Sequence, residues 1–168
     1  MSYDIVICGI GGQGVITLGK IIANAALKEG LEVTLMENRG HAKRYDSVSC
    51  HVRIGKTYST VIPKETADLM IALNTEEIMR HEETMKENFT MLIDGQTMKQ
   101  ELSKKHSVQE VNADLTGMHN SGKQRNIFFL GTAGRLEEFP VSQKNLHEAL
   151  AELLGGTETN LRAFYGSK

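Results

Sequence analysis

The residues best placed to do chemistry come early, in YDIVICGIGGQGVITLGKIIANAA, where Gly9, Gly11 and Gly14 stand in the spacing G-x-G-x-x-G. The apolar run before them, Tyr3–Cys8, reads as a buried strand, with Ile5, Val6 and Ile7 consecutive. After them Val15, Leu18, Ile21, Ile22, Ala25 and Ala26 recur at three- and four-residue steps, the apolar stripe of a helix that Gly30 ends. Glycines at a strand-to-helix turn let the backbone approach a phosphate, and the helix N-terminus adds unpaired N–H groups and a positive dipole end. This is the context of a dinucleotide-binding turn. Glu37, at the end of a second strand Leu31–Glu37, lies about 20–25 residues further on, where a ribose-binding acid belongs, and Arg39 is placed to accept a 2′-phosphate. The same spacing also serves as a plain packing turn. The chain lacks room for a separate substrate domain, and a hairpin at Ser47–Ile62 interrupts the second βαβ half. The turn alone leaves nucleotide binding, another ligand and pure packing all open.

A second group of residues follows. Between Arg39 and Lys56 the cations Arg39, Lys43, Arg44, Arg53 and Lys56 face a single acid, Asp46, inside a chain of net charge −2. His41 and His51 add charge when protonated. Such a stretch beside a helix N-terminus calls for an anionic partner: a phosphate, a carboxylate or an acidic protein face. Nucleic acid is disfavoured, because the overall charge is slightly negative and the patch has no aromatic platform for bases.

The remaining groups are poor in chemistry. His81, His106, His119 and His147 are scattered without ligand spacing and read as surface residues. Glu76, Glu77, Glu82 and Glu83 read as exposed helix acids. Ser121-Gly122-Lys123 lacks the glycine spacing of a P-loop. Cys8 and Cys50 each sit in an apolar strand and read as buried thiols, so the chain by itself supplies no iron–sulfur cluster and no cysteine zinc site. No nucleophile–base pair emerges, so no catalytic residue and no metal ligand is assigned.

The elements that must position these residues follow from periodicity. In the strand after the basic loop, Val48, Cys50, Val52 and Ile54 alternate with Ser47, Ser49, His51 and Arg53. Gly55-Lys56 is expected to turn this strand into TYSTVI as a hairpin. Asp68–Leu73 is another buried strand, and Asn74 with Glu77 forms a capping box for a short helix. Then come a strand Phe89–Gly95, a lysine-rich helix near Met98–Lys105, a weak strand SVQEVNA and a helix through NIFFLGTAGRL. Ser142 and Thr157 cap two final helices, the first stopped by Gly155-Gly156. Strands alternating with helices over 168 residues predict one domain, 1–168: a three-layer α/β/α fold with a mostly parallel, mixed sheet containing one hairpin. No apolar run approaches the ~18 residues of a membrane span, and the N-terminus has no basic leader. A cytoplasmic location is expected.

Two segments together are more specific than either alone. GIGGQGVITLGKIIANAA and, some twenty residues later, ENRGHAKRYDSVSCHVRIG resemble the gamma subunit, or gamma domain, of the 2-oxoacid:ferredoxin oxidoreductases, nearest to the indolepyruvate small subunit. The family's first motif, G-x-G-G-Q-G, is met by Gly9, Gly11, Gly12, Gln13 and Gly14. Its second, E-x-x-G-x-A-x-R-G-G-S-V-x-x-x-V-R-I-G, is met by Glu37, Gly40, Ala42, Arg44, Ser47, Val48, Val52, Arg53, Ile54 and Gly55. STVIPKETADLMIAL and GTETNLRAFYGSK extend the likeness over nearly the whole chain. Tyr45-Asp46 stands where the family has Gly-Gly, which removes two positions free to take positive φ. The resemblance implies a complex that decarboxylates a 2-oxoacid on thiamine diphosphate, passes electrons through iron–sulfur clusters to ferredoxin and hands the acyl group to coenzyme A. Thiamine diphosphate and the clusters are expected on other subunits, against which this chain packs. Gly9, Gly11, Gly12, Gln13, Gly14, Arg39, Arg44, Ser47 and Arg53 are then the residues expected to face the catalytic subunit or coenzyme A.

Overall fold

The computed structural model describes residues 2–40, 46–93, 107–110 and 121–166. Six strands, β1 (Tyr3–Ile10), β2 (Val33–Arg39), β3 (Ser47–Ile54), β4 (Ala67–Ala72), β5 (Met85–Ile93) and β6 (Ser107–Glu110), form one sheet in the order β2-β3-β1-β4-β5-β6. The pairs β1–β4, β4–β5 and β5–β6 are parallel, while β3 runs antiparallel to both of its neighbours, β1 and β2. The layered α/β reading with a mixed sheet is the one observed. Among the described residues four α-helices accompany it: α1 (Val15–Lys28), α2 (Ser121–Ala133), α3 (Gln143–Leu154) and α4 (Glu158–Gly166).

The helices gather on one face of the sheet. Ile5 and Ile7 of β1, Cys50, Val52 and Ile54 of β3, and Leu69 and Ile71 of β4 point to that face. They pack with the α1 stripe and with Phe129, Leu130, Leu146, Leu150 and Phe164. The period-3.6 stripe read from the sequence is buried in full, each large side chain contributing about 1.5–3 kcal/mol. Gly19 lets α1 lie close on β3, since a Cβ there would strike the Cys50 Sγ. The opposite face holds Val6, Cys8, Met70, Ala72, Phe89, Met91 and Ile93. Among the described residues it is covered by two 3-10 segments, Thr75–Arg80 and Glu82–Thr84, and by the loop through Ile62.

Several boundaries and one connection differ from the sequence reading. The hairpin is β2–β3, joined through the basic loop, and residues 57–62 form no strand. The physical reason is Arg53, whose Nη1 donates to the carbonyls of Ser59 (3.1 Å) and Val61 (2.9 Å), so these acceptors serve a side chain in place of a ladder. Asn74 caps as expected, its Oδ1 accepting from the Glu76 N–H at 2.9 Å. Glu77 does not close the box, because its carboxylate accepts from Ser47 Oγ at 2.6 Å. Ser142 and Thr157 cap α3 and α4 through the Asn145 and Asn160 N–H groups. The helix expected near Met98–Lys105 lies outside the described residues.

The polar row of β3 is buried, not solvated. Arg53 donates to Asp4 through Nε (3.0 Å) and Nη2 (2.9 Å), and through Nη2 to Ser2 Oγ at 3.4 Å, in addition to the two loop carbonyls. Both partners are nearly excluded from solvent, with side-chain exposures of 10% and 3%. Removing one member of such a pair strands the other's charge in the interior. Arg53→Ala is therefore expected to cost about 3–5 kcal/mol of unfolding free energy, read from denaturant melts. A loss below about 1 kcal/mol would show that the pair is not holding the β1–β3 register.

Candidate functional site

The glycine turn lies between the end of β1 and the start of α1. Gly14 is the residue before the helix, with φ +83° and ψ 23°, and it provides no capping side chain. Its carbonyl accepts the Leu18 N–H at 2.9 Å, so the helix begins at once. The N–H groups of its first turn have no acceptor within the helix. They open on a cleft of about 790 Å³, whose walls include Gly11, Gly12, Thr17, Lys20, Arg39 and Gly40. The turn is held by backbone and amide bonds. Gln13 Oε1 accepts the Ile10 N–H (2.8 Å), Gln13 Nε2 donates to the Leu73 carbonyl (3.2 Å), and Gly11 N–H donates to the Asp46 carbonyl (2.9 Å). The basic loop is thus anchored beside the turn, and Gly40 N–H closes its far side on the Ser47 carbonyl at 3.1 Å.

The two cations of the cleft wall are paired with Glu37. Lys20 Nζ lies 3.1 Å from one carboxylate oxygen and Arg39 Nη2 donates to the other at 2.8 Å. Partial burial pushes the Glu37 carboxyl up, but the bonds from Arg39 and Lys20 outweigh it and hold it below the usual carboxylate range. Both cations keep more than half of their side-chain surface in water, 52% for Lys20 and 61% for Arg39. Two cations, one acid and a bare helix N-terminus make a site suited to an anion with several oxygens.

The same geometry corrects the dinucleotide reading of Glu37. Its strand is separated from β1 by the antiparallel β3, one strand spacing of about 4.8 Å further out than a neighbour of β1 would be. Its carboxylate is already committed to Lys20 and Arg39. A ribose hydroxyl would have to displace charge-assisted bonds, which are the stronger kind.

The residues singled out in the sequence divide into three groups. Gly11, Gly12, Gly14 and Arg39 line the cleft. Gly9 lies buried beneath it, with no space for a Cβ between Gln13 and Val15, and Gln13 spends its amide on holding the turn. Ser47 and Arg53 are not among the residues that line the cleft. Ser47 Oγ is bonded to Glu77, and Arg53 is buried on the sheet face opposite α1. Arg44 lies outside the described residues. Lys20 is the residue that sequence reasoning passed over. It reads as an ordinary polar position on the helix, and its pairing with Glu37 follows only from the α1–β2 contact.

Elsewhere, Cys8 and Cys50 are fully buried on opposite faces of the sheet, and burial pushes each thiol up to about 12. Among the described residues no three His, Cys, Asp or Glu side chains converge as a metal site, and no helix is long and apolar enough to cross a membrane.

Comparison with known proteins places this geometry. Residues 4–166 match the family model described as "Pyruvate ferredoxin/flavodoxin oxidoreductase". The chain is 29% identical to a protein of Methanothermobacter thermautotrophicus named indolepyruvate oxidoreductase subunit IorB, over 98% of this chain and 95% of that one. A protein of the same name from Archaeoglobus fulgidus is 42% identical over 55% of this chain and 46% of its own length. Among solved structures, the gamma subunit of a keto/oxoacid ferredoxin oxidoreductase from Geobacter sulfurreducens superposes with a TM-score of 0.71 at 25% identity, covering 96% of this chain and 94% of that one. A 2-oxoglutarate:ferredoxin oxidoreductase from Magnetococcus marinus, solved with 2-oxoglutarate, coenzyme A and succinyl-CoA bound, shares the fold with a TM-score of 0.81 at 23% identity. It covers 99% of this chain, which spans 30% of that longer chain.

The turn's tolerance to side chains is testable. A Cβ on Gly14 would strike the Asn126 amide and force an L residue into positive φ, whereas one on Gly12, φ +100°, meets open space. Gly14→Ala is expected to lower stability by more than Gly12→Ala, which carries only the strain of about 1–2 kcal/mol, and pairing it with Asn126→Ala should restore part of the difference. Equal losses at the two glycines, measured by thermal denaturation, would contradict this packing.

Proposed function

Since the chain belongs to the pyruvate ferredoxin/flavodoxin oxidoreductase family, we propose that it works as the gamma subunit of a thiamine-diphosphate- and iron–sulfur-dependent 2-oxoacid:ferredoxin oxidoreductase. The observation that carries this reading is the match to a subunit named for indolepyruvate oxidation over nearly the full length of both chains. The complex is an oxidoreductase acting on the oxo group of a 2-oxoacid. The relatives' names support indolepyruvate as the substrate, with specificity residing on the thiamine-bearing partner. Thiamine diphosphate and the clusters belong, in this reading, to partner subunits in the cytoplasm, and ferredoxin takes the electrons from them.

The chain's own contribution is binding and orientation on the coenzyme A side. The cleft fits phosphate groups on its own chemistry: the first-turn N–H groups of α1 are uncapped, and Lys20 and Arg39 stand on its wall. Coenzyme A, when bound, supplies the thiol that accepts the acyl group. Lys20 and Arg39 bind its phosphates in exchange for Glu37, and Gly12 and Gly14 keep side chains out of the approach. Arg44, the motif cation outside the described residues, is assigned to the same role. Ser47 and Arg53 support the loop from beneath and touch no ligand.

Affinity purification of the tagged chain from anaerobically handled native cells tests the subunit reading. A stoichiometric larger partner carrying thiamine diphosphate and iron is expected, with indolepyruvate-dependent dye reduction in the purified complex. A chain that emerges alone, folded and monodisperse, would overturn it. In the active complex Lys20→Ala, Arg39→Ala and Arg44→Ala are each expected to raise KM for coenzyme A about tenfold, the loss of one charge-assisted bond, and to leave KM for the 2-oxoacid unchanged. Unaltered coenzyme A kinetics in all three variants would remove the cleft from the reaction.

A further inference from the structure

Two imidazoles meet at the underside of β3, His51 on the strand and His81 above it. His51 is 8% exposed, and neither Nδ1 nor Nε2 has a partner among the described residues. His81, at the junction of the two 3-10 segments, lies over it at a centroid distance of 6.0 Å with the rings nearly perpendicular, and its Nε2 is also without a partner. A neutral imidazole always carries one N–H donor, and burying it unmet is costly. Adding a second proton there is costlier still, because no acceptor is at hand. The charges near the pair do not supply one. Asp4 is consumed by Arg53, Glu77 is engaged by Ser47 Oγ and by Arg80 at 3.3 Å, and Arg80 itself repels a charged His81.

What lies over this face is easily lifted. The stretch Thr75–Thr84 is 3-10 throughout apart from His81, a geometry with poorer hydrogen bonds than the α-helix. On the described residues it is fastened by buried Ile78 and Glu77, by the Ser47–Glu77 bond, by the Asn74 cap and by an exposed ion pair from Lys64 to Glu83 at 2.8 Å. At its far end the Glu65 and Thr66 N–H groups donate to the Glu83 and Thr84 carbonyls. Beneath it lies Cys8, fully buried in the same cluster as Ile78. Cys50, equally buried, belongs to the opposite face under α1.

We infer that Thr75–Thr84 is an acid-released flap over the Cys8 face of the sheet, with the edge-to-face His51–His81 pair as its trigger. Burial, with the neighbouring His81 second, pushes His51 down to about 4, and burial likewise lowers His81. Both imidazoles therefore take up protons on opening. Closure is fully favoured above the ordinary histidine range, near pH 6.5, and is progressively opposed as pH falls from there towards 4. His51 alone would raise the opening equilibrium roughly 30-fold between pH 8 and pH 5, and His81 adds to it.

The two cysteines allow a direct measurement in the full chain. Labelling by 4,4′-dithiodipyridine, normalised to free cysteine at each pH, reads the exposure of each thiol. Cys8 labelling is expected to rise by more than roughly 30-fold from pH 8 to pH 5 while Cys50 stays protected. In His51→Leu that rise should shrink to the part due to His81, and in His81→Gln to the part due to His51. A normalised Cys8 rate that does not change with pH overturns the flap. So does a parallel rise at Cys8 and Cys50, which would report global unfolding. If Leu at position 51 prevents folding, the wild-type contrast between the two thiols and the His81→Gln profile decide the matter.

Discussion

The structure depends on one strand running against its neighbours. β3 lies between β1 and β2 and antiparallel to both, so the strand after α1 is set one place out from β1. That displacement carries Glu37 away from the position of a ribose-binding acid and brings it against α1, where Lys20 and Arg39 engage it. It also returns the chain from the basic loop directly beside the glycine turn, where the Asp46 carbonyl meets the Gly11 N–H. The cleft is the space between a parallel strand's helix and an antiparallel strand's loop.

The charge beside the cleft that results is balanced. Glu37 neutralises part of the charge of Lys20 and Arg39 and keeps the two long side chains ordered. A phosphate entering the cleft would find donors already positioned, and it would have to outbid a single carboxylate for them. Preorganisation of this kind reduces the side-chain entropy lost on binding. Because both cations are more than half exposed, the site also stays sensitive to salt.

Much of this was legible in the sequence, and what was missed has a consistent cause. The α1 stripe, the alternation of β3, the Ser142 and Thr157 caps and the class of the fold follow from local periodicity and capping chemistry, which single segments determine. The hairpin was assigned to the wrong side of β3 because Gly55-Lys56 looks like a turn. The decision was made at a distance, by Arg53 recruiting the carbonyls of Ser59 and Val61. From the sequence the polar side of β3 belongs to a basic stretch awaiting an anionic partner, because Ser47, Ser49, His51 and Arg53 are residue types that favour water or a counter-charge. The acceptors of Arg53 and Ser47, Asp4 and Glu77, lie 49 and 30 residues away. Lys20 escaped for the same reason: its meaning lies in Glu37, on a strand whose placement no local signal specified. The two motifs that carry the family resemblance mark backbone turns and loop anchors as much as ligand contacts.

The buried polar row also explains how a cleft on one face depends on bonds beneath the other. Side chains on a strand alternate, so a slip of one residue in β3 would drive His51 and Arg53 into the helix-covered core and turn Cys50 and Val52 the other way. An apolar strand could tolerate such a slip far better. Here Arg53 on Asp4 fixes one end of β3 and Ser47 on Glu77 fixes the other. With both ends fixed, Ser47 stands opposite Ile10, and the residue before it is delivered to Gly11. Arg53 and Ser47 therefore have a structural reason for their place in the second motif. They set the register that puts the basic loop against the glycine turn, and the cleft exists only in that register.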